Sequence, residues 1–167
     1  NSEKMTPEEL VVQVDSYFTK FDEITHKYNI EKIKTIGDAY LCVSGLPVID
    51  KNHAVNAVLA AIEMRDYVQS VAAEKEPGDP SAFEMRIGIH SGPVVSGVVG
   101  FKKFAFDIWG DTVNTAARLE TQSEASKINI SSSTYELVKD LFNCEYRGRL
   151  LAKNKGEIDM YFINKKT

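Results

Sequence analysis

The dipeptide Gly37-Asp38 lies between two β-prone runs, Ile33–Ile36 and Ala39–Val43, and this arrangement narrows the possible folds more than any other stretch of the chain. A two-residue connection of this kind reads as a tight β-hairpin, because glycine takes the positive φ the turn demands and Asp tolerates it next. A carboxylate held at a rigid hairpin tip is a good ligand for a hard cation. The same aspartate could instead do no more than bond its own backbone, which is the common fate of Gly-Asp in turns. The hairpin alone leaves both readings open.

The flanking pattern supplies the rest of the architecture. Thr6-Pro7-Glu8-Glu9 is a capping box with Pro at the first helical position. Leu10, Val14, Phe18, Phe21 and Ile24 follow at helical spacing and predict an amphipathic helix to about Tyr28. Strands at about 31–36 and 39–45 form the hairpin, and a second long helix over about 53–74 carries Val55, Val58, Leu59, Ile62, Met64 and Val68. Residues 76–81 have loop composition. Phe83–His90 and Pro93–Val99 read as a further strand pair joined around Ser91-Gly92. Then come a short strand ending at Trp109, a helix at 111–121, a strand at 127–130 and a helix at about 132–141. Closing strands are expected at about 143–151 and 157–164. The sum is one α+β domain over residues 1–167, with mostly antiparallel strands and helices on one face.

Composition excludes several functions. The chain is 43% hydrophobic and 26% charged, ordinary values for a globular domain. A net charge of −4 argues against a protein that coats nucleic acid or anionic membrane. Phosphate recognition must therefore come from a local group of Lys and Arg. Cys42 and Cys144 lack metal-ligand spacing and suit buried, reduced thiols in a cytoplasmic setting. His26, His53 and His90 are scattered and read as single structural histidines. No run approaches the ~18 apolar residues that would span a bilayer, so this segment predicts no membrane contact. The chain opens on Asn1 rather than Met, which fits a piece cut from a longer protein whose membrane or sensor segments lie elsewhere.

Several motifs in order carry a family resemblance. They are Lys34–Tyr40, Cys42–Pro47, Arg86–Gly92, Gly97–Gly100, Phe106–Arg118 and the stretch from Lys153 to Phe162. Together they closely resemble the nucleotidyl cyclase catalytic domain of the class III adenylyl and guanylyl cyclases, over nearly the whole chain. The resemblance implies a ferredoxin-like βαββαβ core with a C-terminal α/β subdomain. It also implies a first strand bearing a Phe-Ala-Asp-Ile-like motif, whose Asp is the first metal ligand. Asn1–Met5 begin just downstream of where that strand belongs. Residues 1–167 alone are therefore expected to show little or no cyclase activity.

The resemblance also assigns roles. Asp38 matches the second metal aspartate of a site holding two Mg2+ or Mn2+ ions. Lys34 and Asp107 match the positions that read the base. Lysine donates to adenine N1 and aspartate accepts from N6, whereas guanine reverses both edges. Guanylyl cyclases typically carry Glu and Cys (or a similar small residue) there, so this pair points to ATP as the substrate and cyclic AMP as the product. Asn114 and Arg118, four apart on one helical face, match the residues that orient the ribose and meet the charge growing on the α-phosphate. Lys153 matches a lysine on the terminal phosphates, although Asn154 departs from the usual Lys-Gly-Lys-Gly. Pro93 stands where some members place a phosphate-contacting arginine. Each residue also has a plain alternative, as an exposed strand or loop lysine, a turn carboxylate, a helix-surface amide or an ion-pairing arginine. In this family the metal carboxylates and the base-reading residues of one site come from different subunits, which implies a homodimer with composite sites. The alternatives are a guanylyl cyclase and a catalytically silent cyclase-homology domain.

Overall fold

The computed structural model describes residues 5–152 and 156–167. In chain order its elements begin with α1 (Pro7–Lys27), β1 (Ile30–Ile36), β2 (Ala39–Ser44) and α2 (His53–Ala73). Next are β3 (Ile87–Ile89), β4 (Val95–Val99), β5 (Ala105–Trp109) and α3 (Asp111–Thr121). The chain closes with β6 (Ile128–Ser131), α4 (Ser132–Val138), β7 (Phe142–Ala152) and β8 (Gly156–Lys165).

Helix α1 starts where the capping box predicts. The Glu9 N–H donates to Thr6 Oγ1 at 3.1 Å, and the Thr6 N–H donates to the Glu9 carboxylate at 3.2 Å. Only the second half of the helix reaches the core, through Tyr17, Phe21, Ile24 and Thr25, while Leu10 stays 45% exposed. β1 and β2 pair antiparallel with Ile36 opposite Ala39, leaving Gly37-Asp38 as the two-residue turn. Gly37 takes φ 59°, as expected, and Asp38 keeps negative φ. Helix α2 is the spine of the molecule. Ala60, Met64 and Val68 meet α1 and the hairpin, while Ala54, Val58, Ala61 and Ile62 meet Ile128, Ile130, Phe142 and Ile163 of the larger sheet.

That sheet has the order β3-β6-β8-β7, with β3 parallel to β6 and the other ladders antiparallel. β4 and β5 form a separate antiparallel ribbon with Gly97 opposite Asp107. The expected pairing of residues 83–90 with 93–99 does not occur. Phe83 and Met85 pack against the α1–α2 core instead of extending a strand, and only Ile87–Ile89 joins a sheet, beside β6. The following strand, Ala105–Trp109, takes Val95–Val99 instead.

Nor do all helices share one face. Strand side chains alternate, and on β6 Ile128 and Ile130 face α2 while the Asn129 Nδ2 amide donates to the Leu119 carbonyl of α3 at 2.9 Å. Leu119 packs with Leu150 and Met160 as a separate cluster. Helix α3 therefore covers the face of the large sheet opposite α2 and α4.

The contact that seats α3 is backbone on backbone. A Cβ added at Gly88 would lie 2.2 Å from the Glu120 nitrogen and 2.6 Å from the Ala116 oxygen. Gly88→Ala should push α3 off β3 at a cost of about 1–3 kcal/mol or more. The check is a lowered denaturation midpoint at unchanged m-value; a midpoint equal to the parent's would show that α3 retreats without cost.

Candidate active site

Lys34 and Asp107 sit 73 positions apart in sequence and meet because β5 lies beside β1. The Lys34 Nζ is 3.0 Å from Asp107 Oδ2, with the lysine side chain 44% exposed and the aspartate 21%. Asp107 Oδ1 also accepts the Ile108 N–H at 2.8 Å. The Lys34 ammonium, then the Ile108 N–H, hold the Asp107 carboxyl below the usual carboxylate range. A depressed folded pKa stabilises the fold above the ordinary range, and that contribution is lost only as pH falls through the lowered value.

A β-bulge decides which way Lys34 points. Lys32 stands opposite Cys42 and Lys34 opposite Leu41, with Ile33 left over between them. Cys42 and Leu41 are adjacent and so point to opposite faces, which sends Lys32 and Lys34 to opposite faces as well. Lys32 accordingly pairs with Asp22 of α1 at 3.3 Å and lies over the Tyr40 ring. Lys34 is left to face β5. An unbroken strand would have put both lysines on the same side.

Helix α3 presents the second pair. Its inner face buries Thr112, Thr115 and Leu119, and the period of 3.6 leaves Asn114 and Arg118 exposed on the outer face. Neither side chain has a hydrogen-bond or ion-pair partner among the described residues, so both are open to a ligand. The helix follows directly on β5, whose last residue, Trp109, is joined to it by Gly110 at φ 116°.

Asp38 is exposed at the hairpin tip, four residues beyond Lys34. No side-chain bond among the described residues ties Asp38, Asn114 or Arg118 to the Lys34–Asp107 pair. Among the described residues no three His, Cys, Asp or Glu side chains form a group that could hold a metal ion. Asp38 fits as one oxygen ligand; the described residues do not by themselves compose a divalent-cation site. Lys153 lies outside the described residues. Sequence reasoning also passed over Thr112, whose hydroxyl donates to the Pro93 carbonyl. Its signal was a hydroxyl on the inward helix face two turns before Leu119. Cys42 and Cys144 are free thiols, and among the described residues no helix is long and apolar enough to cross a membrane.

The sequence matches the family described as adenylate and guanylate cyclase catalytic domain over residues 1–165. It is 39% identical over 165 residues to atrial natriuretic peptide receptor 2 of Rattus norvegicus, covering 97% of this chain and 16% of that protein. The chain thus spans about a sixth of the length of that relative. Among solved structures, an adenylyl cyclase from P. aeruginosa superposes with a TM-score of 0.87 at 30% identity, covering 99% of this chain and 87% of that one. The guanylate cyclase domain of a Catenaria anguillulae protein, in complex with GTP, superposes with a TM-score of 0.86 at 31% identity, covering 98% and 87%. With both kinds of cyclase sharing its fold and a family match running almost end to end, this chain belongs to the adenylate and guanylate cyclase catalytic domain family.

Proposed function

We propose that this domain is an adenylyl cyclase, converting ATP to 3′,5′-cyclic AMP and pyrophosphate. The observation that carries the choice of base is the Lys34–Asp107 pair at 3.0 Å. After donating to Asp107, the Lys34 ammonium retains two N–H groups, one of which can reach adenine N1. Each Asp107 oxygen retains a lone pair for the N6 amino group. Guanine would set its O6 against the carboxylate and its N1–H against the ammonium. Such mismatches, once a bound base covers the pair, can cost about 10⁴-fold in discrimination. In the reaction the ribose 3′-oxygen attacks the α-phosphorus, loses its proton, and displaces pyrophosphate. Asn114 orients the ribose, and Arg118 faces the charge that builds on the α-phosphoryl oxygens. Asp38 contributes one carboxylate towards Mg2+ or Mn2+, with the remaining ligands supplied from outside the described set. Lys153 is assigned to the terminal phosphates.

A guanylyl cyclase is the second reading, favoured by the structural likeness to a domain solved with GTP. A competition assay with both nucleotides at equal concentration decides between them. Cyclic AMP should dominate the product; a predominance of cyclic GMP would overturn the assignment of Lys34 and Asp107.

We also propose that two copies share each site. The β4–β5 ribbon exposes Val95, Val98, Phe101, Phe104 and Trp109, a patch that a lone soluble domain rarely leaves uncovered. If Asp38 of one copy serves Arg118 of the other, Asp38→Ala and Arg118→Ala are each inactive but complement when mixed. One site of the mixed dimer then carries both lesions and the other carries none. At equal mixing with free exchange, recovery should approach about one quarter of parental sites. No recovery despite exchange of differently tagged subunits would mean that each copy holds its own site.

A further inference from the structure

Both proposed transition-state residues ride on α3, and the way its first turn is held has consequences for them. The helix has no side-chain cap: its N-cap is Gly110, which makes no side-chain hydrogen bond. What ties this end down is Thr112, only 6% exposed, whose hydroxyl donates to the Pro93 carbonyl. The fit on the acceptor side is close, since a Cβ added at Gly92 would lie 2.8 Å from Thr112 Oγ1.

The turn that offers this carbonyl is itself braced. The Ser133 hydroxyl donates to the Ser91 carbonyl at 2.8 Å, and the Ser91 and Thr134 hydroxyls are 2.8 Å apart. His90 Nδ1 lies 2.6 Å from the Ser131 hydroxyl, and Ser131 and Thr134 are fully buried. A polar seam thus runs from α4 through residues 90–93 to the first turn of α3.

The geometry points to Thr112 as a positioning residue for the cyclase reaction: its bond to Pro93 sets the rotation of α3 about its axis and hence the reach of Asn114 and Arg118. At 3.6 residues per turn, those two side chains lie roughly 200° and 240° around the axis from Thr112. A roll on the inner side is therefore carried straight to the outer one. Displacement of a reacting group by about 1 Å can cost about 100-fold in rate. The inference rests on the roles proposed for Asn114 and Arg118.

The test uses Thr112→Val, which keeps the shape and removes the donor, and Thr112→Ser, which keeps the donor. Steady-state kinetics on ATP, thermal midpoint and a double variant with Arg118→Ala are measured in the intact enzyme. Thr112→Val should lower kcat by about tenfold or more while KM moves less than about twofold, and Thr112→Ser should restore most of kcat. In the Arg118→Ala background the valine substitution should cost much less, because the group it misplaces is already gone. If Thr112→Val lowers the thermal midpoint but leaves kcat intact, or if its loss is equally large without Arg118, the positioning role is wrong. An Arg118→Ala variant of parental activity would instead overturn the role given to Arg118 itself, which separates the two failures.

Discussion

Arg118→Ala is expected to lower kcat by about 10²- to 10³-fold with a much smaller change in KM. The guanidinium stands on the outer face of α3 with no partner among the described residues. Its charge is therefore free to meet the one that grows on the α-phosphate. An interaction made mainly in the transition state depresses kcat and kcat/KM together, and removal of one pre-placed donor to a developing oxyanion costs of this order. Arg118→Lys should recover only part of the loss, because an ammonium keeps the charge but not the planar two-pronged donor. Nucleotide binding at equilibrium should change little in either variant. A large rise in KM at constant kcat would place Arg118 in ground-state binding instead.

The second large effect is expected at the pair proposed to read the base, Lys34 and Asp107. Lys34→Glu together with Asp107→Cys replaces a donor by an acceptor and removes the carboxylate that would oppose guanine O6. The double variant should therefore prefer GTP over ATP. Each single variant should lose most activity on both nucleotides. Lys34→Glu alone sets two carboxylates side by side where Nζ and Oδ2 now lie 3.0 Å apart. Asp107→Cys alone strands the lysine without its partner. The measurement is the ratio of kcat/KM values for the two nucleotides in all four proteins. A double variant that still favours ATP would remove the pair from the account of specificity.

Much of this site could be read from residue order, and what could not was lost for definite reasons. The Gly37-Asp38 turn and the capping box at Thr6–Glu9 are local devices, complete within four residues, and both form where expected. Helix α3 begins and ends where its pattern places it, from Asp111 to Thr121. Residues 83–99 misled because alternation there records extension but says nothing about which strand will be the partner; the choice fell to β6 and β5. Leu10 misled because its helical period was right but α1 reaches the core only from Tyr17 onward, leaving Leu10 45% exposed. The bulge at Ile33 was invisible: a simple period of two puts Lys32 and Lys34 on the same side, and only the ladder register reveals the extra residue. Thr112 was missed because its partner is a backbone carbonyl: an inward-facing hydroxyl marks the position but not what it bonds.

The seating of α3 on Gly88 separates two kinds of change that this domain can undergo. Where main chain touches main chain there is no side chain to repack, so backbone contact sets how closely α3 approaches β3 and leaves its rotation to the Thr112–Pro93 bond. The residues proposed to read the base, by contrast, project from strands with side chains 44% and 21% exposed. Such a frame can acquire a new purine preference through two side chains while the machinery acting on phosphorus stays in register. ATP-using and GTP-using enzymes can then share one scaffold, differing in what they read and not in how this helix is held.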